Sequence, residues 1–357
     1  MDWVERAAQL RQWTRGGTRA PHKPLLLLYA LSRFQQGDDD ELRYSAVEED
    51  LRGLLAEYGP GNRTTPAYPF HHLVTDGVWE VRTERGPGSP GPGVRELRAT
   101  GAAGRLAPEL RAALRREPSL LGRMARVLLD LNFPPSLHGE LCEAVGLEPE
   151  EAETGLLSVA RRQRDRRMRE MVLTAYEYQC AFCGYDGRIG AAPVGLEAAH
   201  VRWWAFDGPD VVENGLCLCS LHHKLFDKGV LGLGESTADE PGTSSGSGSS
   251  SGTGSSTRTD TSSGTGSTTR ADTGPGSGMD PDSGTDPRAG SGTSHRILVS
   301  QSFVGRSAAA REHVVALAGR PLIGPQPGAR PVAAAHRAWH TRQVFHGSPR
   351  PAATNQA

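Results

Sequence analysis

Cys180-Ala-Phe-Cys183 and Cys219-Ser-Leu-His222 each set two metal-ligating side chains on either side of a two-residue spacer. That spacing lets a short knuckle turn both ligands toward one ion, and the two pairs together complete a tetrahedral Cys₃His set of the structural zinc type. A staple of this kind gathers the chain between and just after its ligands, so it predicts that His200, Asn214, His223 and Asp227 come together. Of five cysteines, four crowd into residues 180–219, which argues against a disulfide framework and for metal binding in a reducing compartment. Cys217, two residues before Cys219, is expected to be a buried thiol rather than a replacement ligand.

Residues 195–201 read as a short strand and 220–228 as a helix opened by Ser220 as its N-cap. Adjacent helical positions point about 100° apart, so His222 and His223 do not easily serve one ion. His222 is assigned to zinc and His223 to a catalytic cation. Asp227 lies four residues after His223 on the same helical face and is the expected carboxylate partner for that cation. Glu197 is a weaker candidate, because a three-residue offset from His200 on a strand turns it to the opposite face. Phosphodiester hydrolysis needs a base to deprotonate water and a cation to stabilise charge on the phosphate and leaving oxygen. A neutral imidazole suits the first role, and His200 is the expected base. Asn214 would orient the loop that presents it.

Glu197-Ala-Ala-His200, Asn214-Gly-Leu-Cys-Leu-Cys219 and Leu221-His-His-Lys-Leu-Phe-Asp227-Lys-Gly together resemble the HNH, or ββα-metal, nucleases, in the variant found among restriction endonucleases. The resemblance implies a catalytic set of His200 as general base, Asn214 as middle residue and His223 as metal-binding histidine. The expected ions are structural Zn²⁺ on the four-ligand set and Mg²⁺ or Mn²⁺ at His223, where His plus carboxylate also accommodates other divalent ions. Many members of the wider superfamily carry an acid immediately before the first His, where this chain has Ala199, and Asp227 is expected to supply the missing oxygen.

The net charge of −1 averages unlike segments. Arg161, Arg162, Arg164, Arg166, Arg167 and Arg169 precede the zinc module, broken by Asp165, and residues 296–350 add eight arginines against the single acid Glu312. Clustered arginine is the electrostatic footprint of phosphate contact, although such a run also makes an ordinary solvated helix. No apolar run is long enough to span a membrane, and the start Met1-Asp-Trp-Val-Glu-Arg6 lacks the pattern of a signal peptide, so a cytoplasmic protein is expected.

The predicted fold class is α+β. An α-rich recognition domain with a small β-hairpin occupies residues 1–150, an Arg-rich linker helix 151–170 and a zinc-stapled nuclease core 171–235. Residues 236–294, made of Ser, Gly and Thr with scattered charges, are too poor in apolar side chains to bury a core and read as a disordered insert. Arg296-Ile-Leu-Val-Ser300 then reads as a strand, 308–318 as a helix, and Trp339-His340 with Val344-Phe345 as a packed end. The nuclease domain therefore resumes over 295–346, before a disordered tail at 347–357. In the first domain, Trp3, Val4, Ala7, Leu10 and Trp13 form a helical stripe stopped by Gly16-Gly17. A second helix follows Pro21-His-Lys-Pro24 through the all-apolar run Leu25 to Leu31, which should be central. Further helices are predicted near 45–57, 106–116, 118–131 and 136–145. A hairpin is predicted from Tyr68–Val74 and Val78–Val81 around Asp76-Gly77, followed by a loop over 86–93.

Pro21-His22-Lys23-Pro-Leu-Leu-Leu-Leu28, Tyr68-Pro69-Phe70-His71-His72-Leu73, Asp76-Gly-Val-Trp79-Glu-Val81 and Asn132-Phe-Pro-Pro-Ser-Leu-His138 resemble the sulfur-binding domain of type IV restriction endonucleases that recognise phosphorothioate-modified DNA. Physical chemistry supports the same region. Sulfur in place of a non-bridging oxygen is larger, more polarisable and a poorer hydrogen-bond acceptor, so its reader should offer an apolar or ring surface to sulfur and donors to the remaining oxygens. Tyr68, Pro69 and Phe70 suit the first task; His22, Lys23, His71 and Arg95 suit the second, with Arg162 and Arg166 as further phosphate contacts. The expected protein is a metal-dependent endonuclease acting on modified double-stranded DNA, with a homodimer as one route to a double-strand break. An HNH enzyme specific for methylated or other modified bases, and a non-catalytic zinc-containing DNA-binding regulator, are the competing readings.

Overall fold

The run Leu25 to Leu31 leaves its helix no polar face, and the N-terminal half is assembled around it. The structure, a computed structural model, describes residues 2–10, 14–15, 18–19, 21–38, 40–59, 65–148, 156–235 and 295–352, with side chains at all of these but 14–15, 18–19 and 156–165. The predicted insert at 236–294, Trp13 and the last residues of the predicted tail lie outside them.

Helix α1 (Trp3–Ala8) is capped by Asp2, whose Oδ1 accepts from the amides of Val4 at 2.9 Å and Glu5 at 3.1 Å. It ends earlier than the apolar stripe suggests, and β1 (Thr14–Arg15) pairs antiparallel with β2 (Thr18–Arg19) beyond it. Helix α2 (His22–Gln35) buries every residue from His22 to Ser32. Around it pack α3 (Tyr44–Tyr58), which follows the short strand β3 (Leu42–Arg43), and α4 (Ala67–His72).

The predicted hairpin is not formed. Residues 67–72 are helical and continue into a 3₁₀ turn at Leu73–Asp76. Phe70 and Leu73, spaced by three, are both fully buried, so helical spacing against the core wins over the β-prone composition of the segment. Asp76-Gly77 therefore ends a helix, with Gly77 in the left-handed region at φ 68°. The strand that follows, β4 (Trp79–Thr83), joins β5 (Gly86–Pro87) and, beyond α5 (Val94–Ala99), β6 (Ala103–Leu106) in a four-stranded antiparallel sheet ordered β3-β6-β4-β5. Gly104 of β6 is required there: a Cβ would fall 2.3 Å from the Trp79 indole, whose Nε1 donates to the Phe70 carbonyl at 3.1 Å.

Helices α6 (Pro108–Arg116), α7 (Ser119–Asn132) and α8 (Pro135–Val145) close this half, within a few residues of the predicted spans. Pro108 and Pro135 occupy first-turn positions, where no helical N–H is lost, and Gly146 at φ 72° ends α8.

Helix α9 (Leu156–Ala175) leads into the second half, where β7 (Arg188–Ile189) pairs with β8 (Ala192–Pro193) and β9 (Leu196–His200) pairs antiparallel with β10 (Gly215–Cys219). Helix α10 (Ser220–Asp227) follows directly; its N-cap is Cys219, one residue before the predicted Ser220. The sequence on either side of residues 236–294 meets: β11 (Leu231–Glu235) pairs with β12 (His295–Val299) from Leu231↔Val299 to Glu235↔His295. Loop-closure entropy grows slowly with length, so a long connection between paired strands is tolerated. Helices α11 (Ala308–His313) and α12 (Ala334–Gln343) complete the fold. Residues 347–352 are not a free tail: Arg350 donates through Nε to the Ser300 carbonyl at 3.1 Å, and its amide bonds the Val299 carbonyl at 2.7 Å.

Two cores result. One contains Val172, Phe182, Leu216, Phe226, Leu231 and Ile297; the other is that of the N-terminal half and also takes in Trp203, Phe206, Trp339 and Val344. The two halves thus share packing. Among the described residues no helix is long and apolar enough to cross a membrane.

Candidate active site and metal centre

The zinc expectation concerns the Cys219 end of the β9–β10 ribbon and the knuckle beside it. After α9 the knuckle is closed by backbone bonds: the Gly184 amide to the Cys180 carbonyl and the Cys180 amide to the Tyr185 carbonyl, both at 2.8 Å. The Ala181 amide donates to the Cys217 carbonyl at 2.8 Å, fixing the knuckle beside β10. The ligand atoms of Cys180, Cys183, Cys219 and His222 then lie within 4.8 Å of one another, a group that could hold a metal ion.

The chemistry of the set fits zinc. His222 Nε2 bonds the carbonyl of His313 at 2.8 Å, which leaves Nδ1 facing Cys219 at 3.2 Å and Cys180 at 3.5 Å. A backbone carbonyl on the second ring nitrogen is the usual support of a metal-ligating histidine. Hydrogen bonds from Cys183 and Cys219 hold the Cys180 thiol far below the ordinary range, and the same bond to Cys180 pushes Cys183 above it. Burial lowers the His222 pKa, but the thiols of Cys180 and Cys219 outweigh it and raise it to about 10. The cluster thus attracts positive charge. Cys217 stays outside it, fully buried, its thiol pushed up to about 12 by burial.

Beside the cluster, a cleft of about 390 Å³ is lined by Glu197, His200, Asp210, His223 and Asp227, by Arg169 of α9, by Trp203 and Trp204, and by Pro134 to Ser136 of the N-terminal half. The sequence-predicted His200 and His223 meet here. His200 Nε2 lies 2.8 Å from Asp210 Oδ1. Asn214 is fully buried and does not face the cleft. Its Oδ1 accepts from the Arg202 amide at 2.8 Å, and its Nδ2 donates to the carbonyls of Arg202 at 2.9 Å and Pro209 at 3.0 Å. It braces both ends of the loop that brings Asp210 to His200.

The acidic residues are arranged differently from the sequence expectation. Glu197 reaches the cleft: Oε2 lies 2.6 Å from His223 Nδ1, and Oε1 accepts from Ser220 Oγ at 2.7 Å. Strict alternation along β9 fails because two-stranded ribbons twist strongly and a glutamate side chain is long enough to follow the twist. The bonds to His223 and Ser220 hold the Glu197 carboxyl down at about 2, against burial. Asp227 is behind the ring, with Oδ2 3.1 Å from His223 Nε2, Oδ1 accepting from Trp203 Nε1 at 3.2 Å, and Ser136 Oγ donating to Oδ2. Burial lowers the His223 pKa, but Asp227 and Glu197 together raise it to about 10. The two carboxylates bracket the His223 ring, one at each nitrogen. Ala199 is fully buried, and the carboxylates that reach His223 are those of Glu197 and Asp227.

Asp210 was not among the expected residues. The loop after His200 offers two aspartates, and nothing in the sequence chooses between them; Asp207 points to solvent, its side chain 83% exposed. With three bonds to Asn214 gone, Asn214→Ala should leave buried groups unsatisfied, each worth about 1–3 kcal/mol. A lower melting temperature together with slower cleavage is the expected result, measured by calorimetry and plasmid nicking.

On the N-terminal half, His22 and Lys23 are buried. Burial lowers His22 to about 4, so it is neutral near pH 7. Lys23 Nζ pairs with Asp76 Oδ2 at 2.6 Å. Phe70 is core rather than surface, edge-on to Tyr44 at 5.2 Å and Trp79 at 5.5 Å between ring centroids, and Pro69 is buried with it. Tyr68 is partly exposed and packs on His72 at 4.2 Å, while His71 Nδ1 bonds Ser89 Oγ of the Gly/Pro loop at 2.7 Å. His72 and Ser89 therefore join the region that sequence reading centred on Tyr68 and His71. Arg95 and Arg166 are exposed, and the side chain of Arg162 is outside the described set.

Residues 1–150 match the family described as the ScoMcrA-like DNA sulfur-binding domain, and residues 180–234 match the HNH endonuclease family. The sulfur-binding domain of SprMcrA, solved in complex with phosphorothioated DNA, is 26% identical; the match covers 41% of this chain and 93% of that one at a TM-score of 0.36. The sulfur-binding domain of ScoMcrA, also in complex with phosphorothioated DNA, is 24% identical over 41% and 96%, at a TM-score of 0.35. The structure of the type IV phosphorothioation-dependent restriction endonuclease ScoMcrA is 21% identical over 44% of this chain and 31% of that one, at a TM-score of 0.34. No curated protein matches the chain. The chain is a DNA endonuclease that joins a ScoMcrA-like DNA sulfur-binding domain to an HNH endonuclease domain.

Proposed function

We propose that this endonuclease binds phosphorothioate-modified DNA through residues 1–150 and hydrolyses nearby phosphodiester bonds in the His200–His223 cleft. The observation that carries the reading is the joint presence, around one cleft, of a histidine backed by a carboxylate and a second histidine flanked by two carboxylates.

His200 Nε2–H donates to Asp210, which leaves Nδ1 as the nitrogen that takes a proton from water. Asp210 orients the ring, and Asn214 fixes the loop on which Asp210 stands. His223 Nδ1 and Glu197 would hold the divalent cation, Mg²⁺ or Mn²⁺, while Asp227 holds the ring from the other nitrogen; this replaces the expected pairing of His223 with Asp227 as ligands. Such a cation, when bound, supplies positive charge to the phosphate and the leaving oxygen. Arg169 lines the same cleft and donates to the Leu196 carbonyl at 3.0 Å, presenting a guanidinium for phosphate contact. Cys180, Cys183, Cys219 and His222 would hold structural zinc.

In the N-terminal half, Tyr68 and His72 present rings, and His71 with Ser89 presents polar groups beside them. This combination suits a polarisable sulfur next to oxygen acceptors.

The test is a gel-shift and cleavage comparison on duplexes identical but for one backbone sulfur, with Mg²⁺ or Mn²⁺ present. Preferential binding and cutting of the sulfur duplex is expected. Equal affinity for unmodified DNA would defeat the reading, and a preference for a methylcytosine duplex would move the specificity to a modified base.

A further inference from the structure

We infer that Ser136, which belongs to the DNA-recognition domain, is a positioning residue for the nuclease site: through Asp227 it fixes the ring of His223. The inference rests on the reading of His223 as a cation ligand given above. Ser136 stands in the first turn of α8, far in sequence from the nuclease motif, yet it lines the cleft with Pro134 and Pro135. Its hydroxyl donates to Asp227 Oδ2, and its carbonyl accepts from Lys224 Nζ, one residue after His223.

The Asp227 side chain is 1% exposed. A carboxylate so buried must be satisfied by protein donors, and their positions decide where its oxygens lie. Among the described residues, the donors to Asp227 apart from His223 itself are Ser136 Oγ and Trp203 Nε1. Trp203 packs against Trp339 at 5.7 Å, within the core of the N-terminal half. Both anchors of Asp227 are thus held by that core, while the ring they steer belongs to the nuclease helix α10. The recognition domain then takes part in cutting, not only in choosing where to cut.

The hydroxyl also sits amid a wider clamp between the halves. Lys228 Nζ pairs with Glu57 at 2.6 Å and Glu140 at 2.9 Å, and lies over the Tyr58 ring. This clamp does not touch Asp227 and provides the control for mere loosening of the contact.

Three variants of the full, zinc-loaded chain separate the roles: Ser136→Ala, Ser136→Thr and Lys228→Met. Outer-layer partners of a metal-binding histidine typically contribute about 10–100-fold to metal affinity or activity. Ser136→Ala should raise the Mn²⁺ concentration for half-maximal cleavage by about 10-fold or more and lower kcat. It should weaken Mn²⁺ binding without DNA, followed by electron paramagnetic resonance, and leave KM and gel-shift affinity for phosphorothioated DNA unchanged. Ser136→Thr, which keeps the hydroxyl at a partly exposed position, should restore both readouts, and Lys228→Met should leave both as in the wild type. Unchanged Mn²⁺ dependence in Ser136→Ala, no rescue by threonine, or an equal loss in Lys228→Met would each overturn the role of Ser136 while leaving the endonuclease reading intact. Failure of the wild-type chain to cut with Mn²⁺ would instead remove that reading, and the inference with it.

Discussion

His200→Ala should abolish cleavage of phosphorothioated plasmid, by about 10²–10⁴-fold if the imidazole acts as general base, while leaving gel-shift affinity for the same DNA unchanged. The separation of the two effects follows from position. The His200 side chain lines an open cleft and is 19% exposed, so its removal widens the cleft without leaving a sealed void. Asp210, its partner, is 28% exposed and can be solvated by water once the ring is gone. Neither loss threatens the packing of β9 on β10, where Leu196, Ala199, Leu216 and Leu218 are buried. In the proposed function, DNA is bound by residues of the other half, around Tyr68 and His71. Single-turnover cleavage beside a gel shift checks the outcome, and a His200→Ala protein that still cuts would take the base role away from this residue. Asp210→Asn should give an intermediate loss, because the amide keeps a neighbour for the ring but can present the wrong partner to Nε2–H, freeing the tautomer that Asp210 selects.

The motif residues were legible because metal ligands and their spacers are local: the Cys-Ala-Phe-Cys knuckle and the Cys-Ser-Leu-His turn state their geometry in four residues each. Helices with continuous apolar faces were equally plain, as the complete burial of Leu25 to Leu31 shows. Local reading failed where tertiary contact decides. Tyr68–Leu73 has the composition of a strand, but Phe70 and Leu73 fill one side of a helix against Tyr44 and Trp79. The placing of Glu197 depended on the twist of a two-stranded ribbon, and that of Asp210 on the buried brace made by Asn214. Ser136 lies in a stretch that carried the resemblance to a sulfur-binding domain, but nothing local tied it to Asp227, 91 residues further on. The burial of His22 and Lys23, expected as donors to DNA oxygens, was hidden for the same reason: burial keeps one neutral near pH 7, and Asp76 pairs with the other.

Removing zinc should have the largest effect on the fold. Structural Zn²⁺ contributes about 10–16 kcal/mol of apparent binding free energy in finger peptides, comparable with or above the roughly 5–15 kcal/mol stability of a whole domain. Cys180 is fully buried and His222 1% exposed, so Cys180→Ala removes one of the four side chains proposed to hold zinc from the inside of the second core. The damage should spread to the segment after residue 294, because the His313 carbonyl is tied to His222 Nε2 and the Ile323 amide bonds the Ala181 carbonyl at 3.0 Å in the knuckle. Residues 1–150 keep their own core of α2, α7 and the four-stranded sheet. Their melting should be lowered rather than abolished, since Trp203, Phe206 and Trp339 pack into that core from the damaged half. Cys180→Ala, or the wild-type chain after strong chelation, is therefore expected to show an early loss of the nuclease half in calorimetry, no cleavage, and residual affinity for phosphorothioated DNA. Zinc content measured by colorimetric release should fall from one ion per chain to none. A Cys180→Ala protein that melts like the wild type and still cuts would show that the four-ligand set does not carry the stability of this half, leaving β10 and α10 to be held by packing alone.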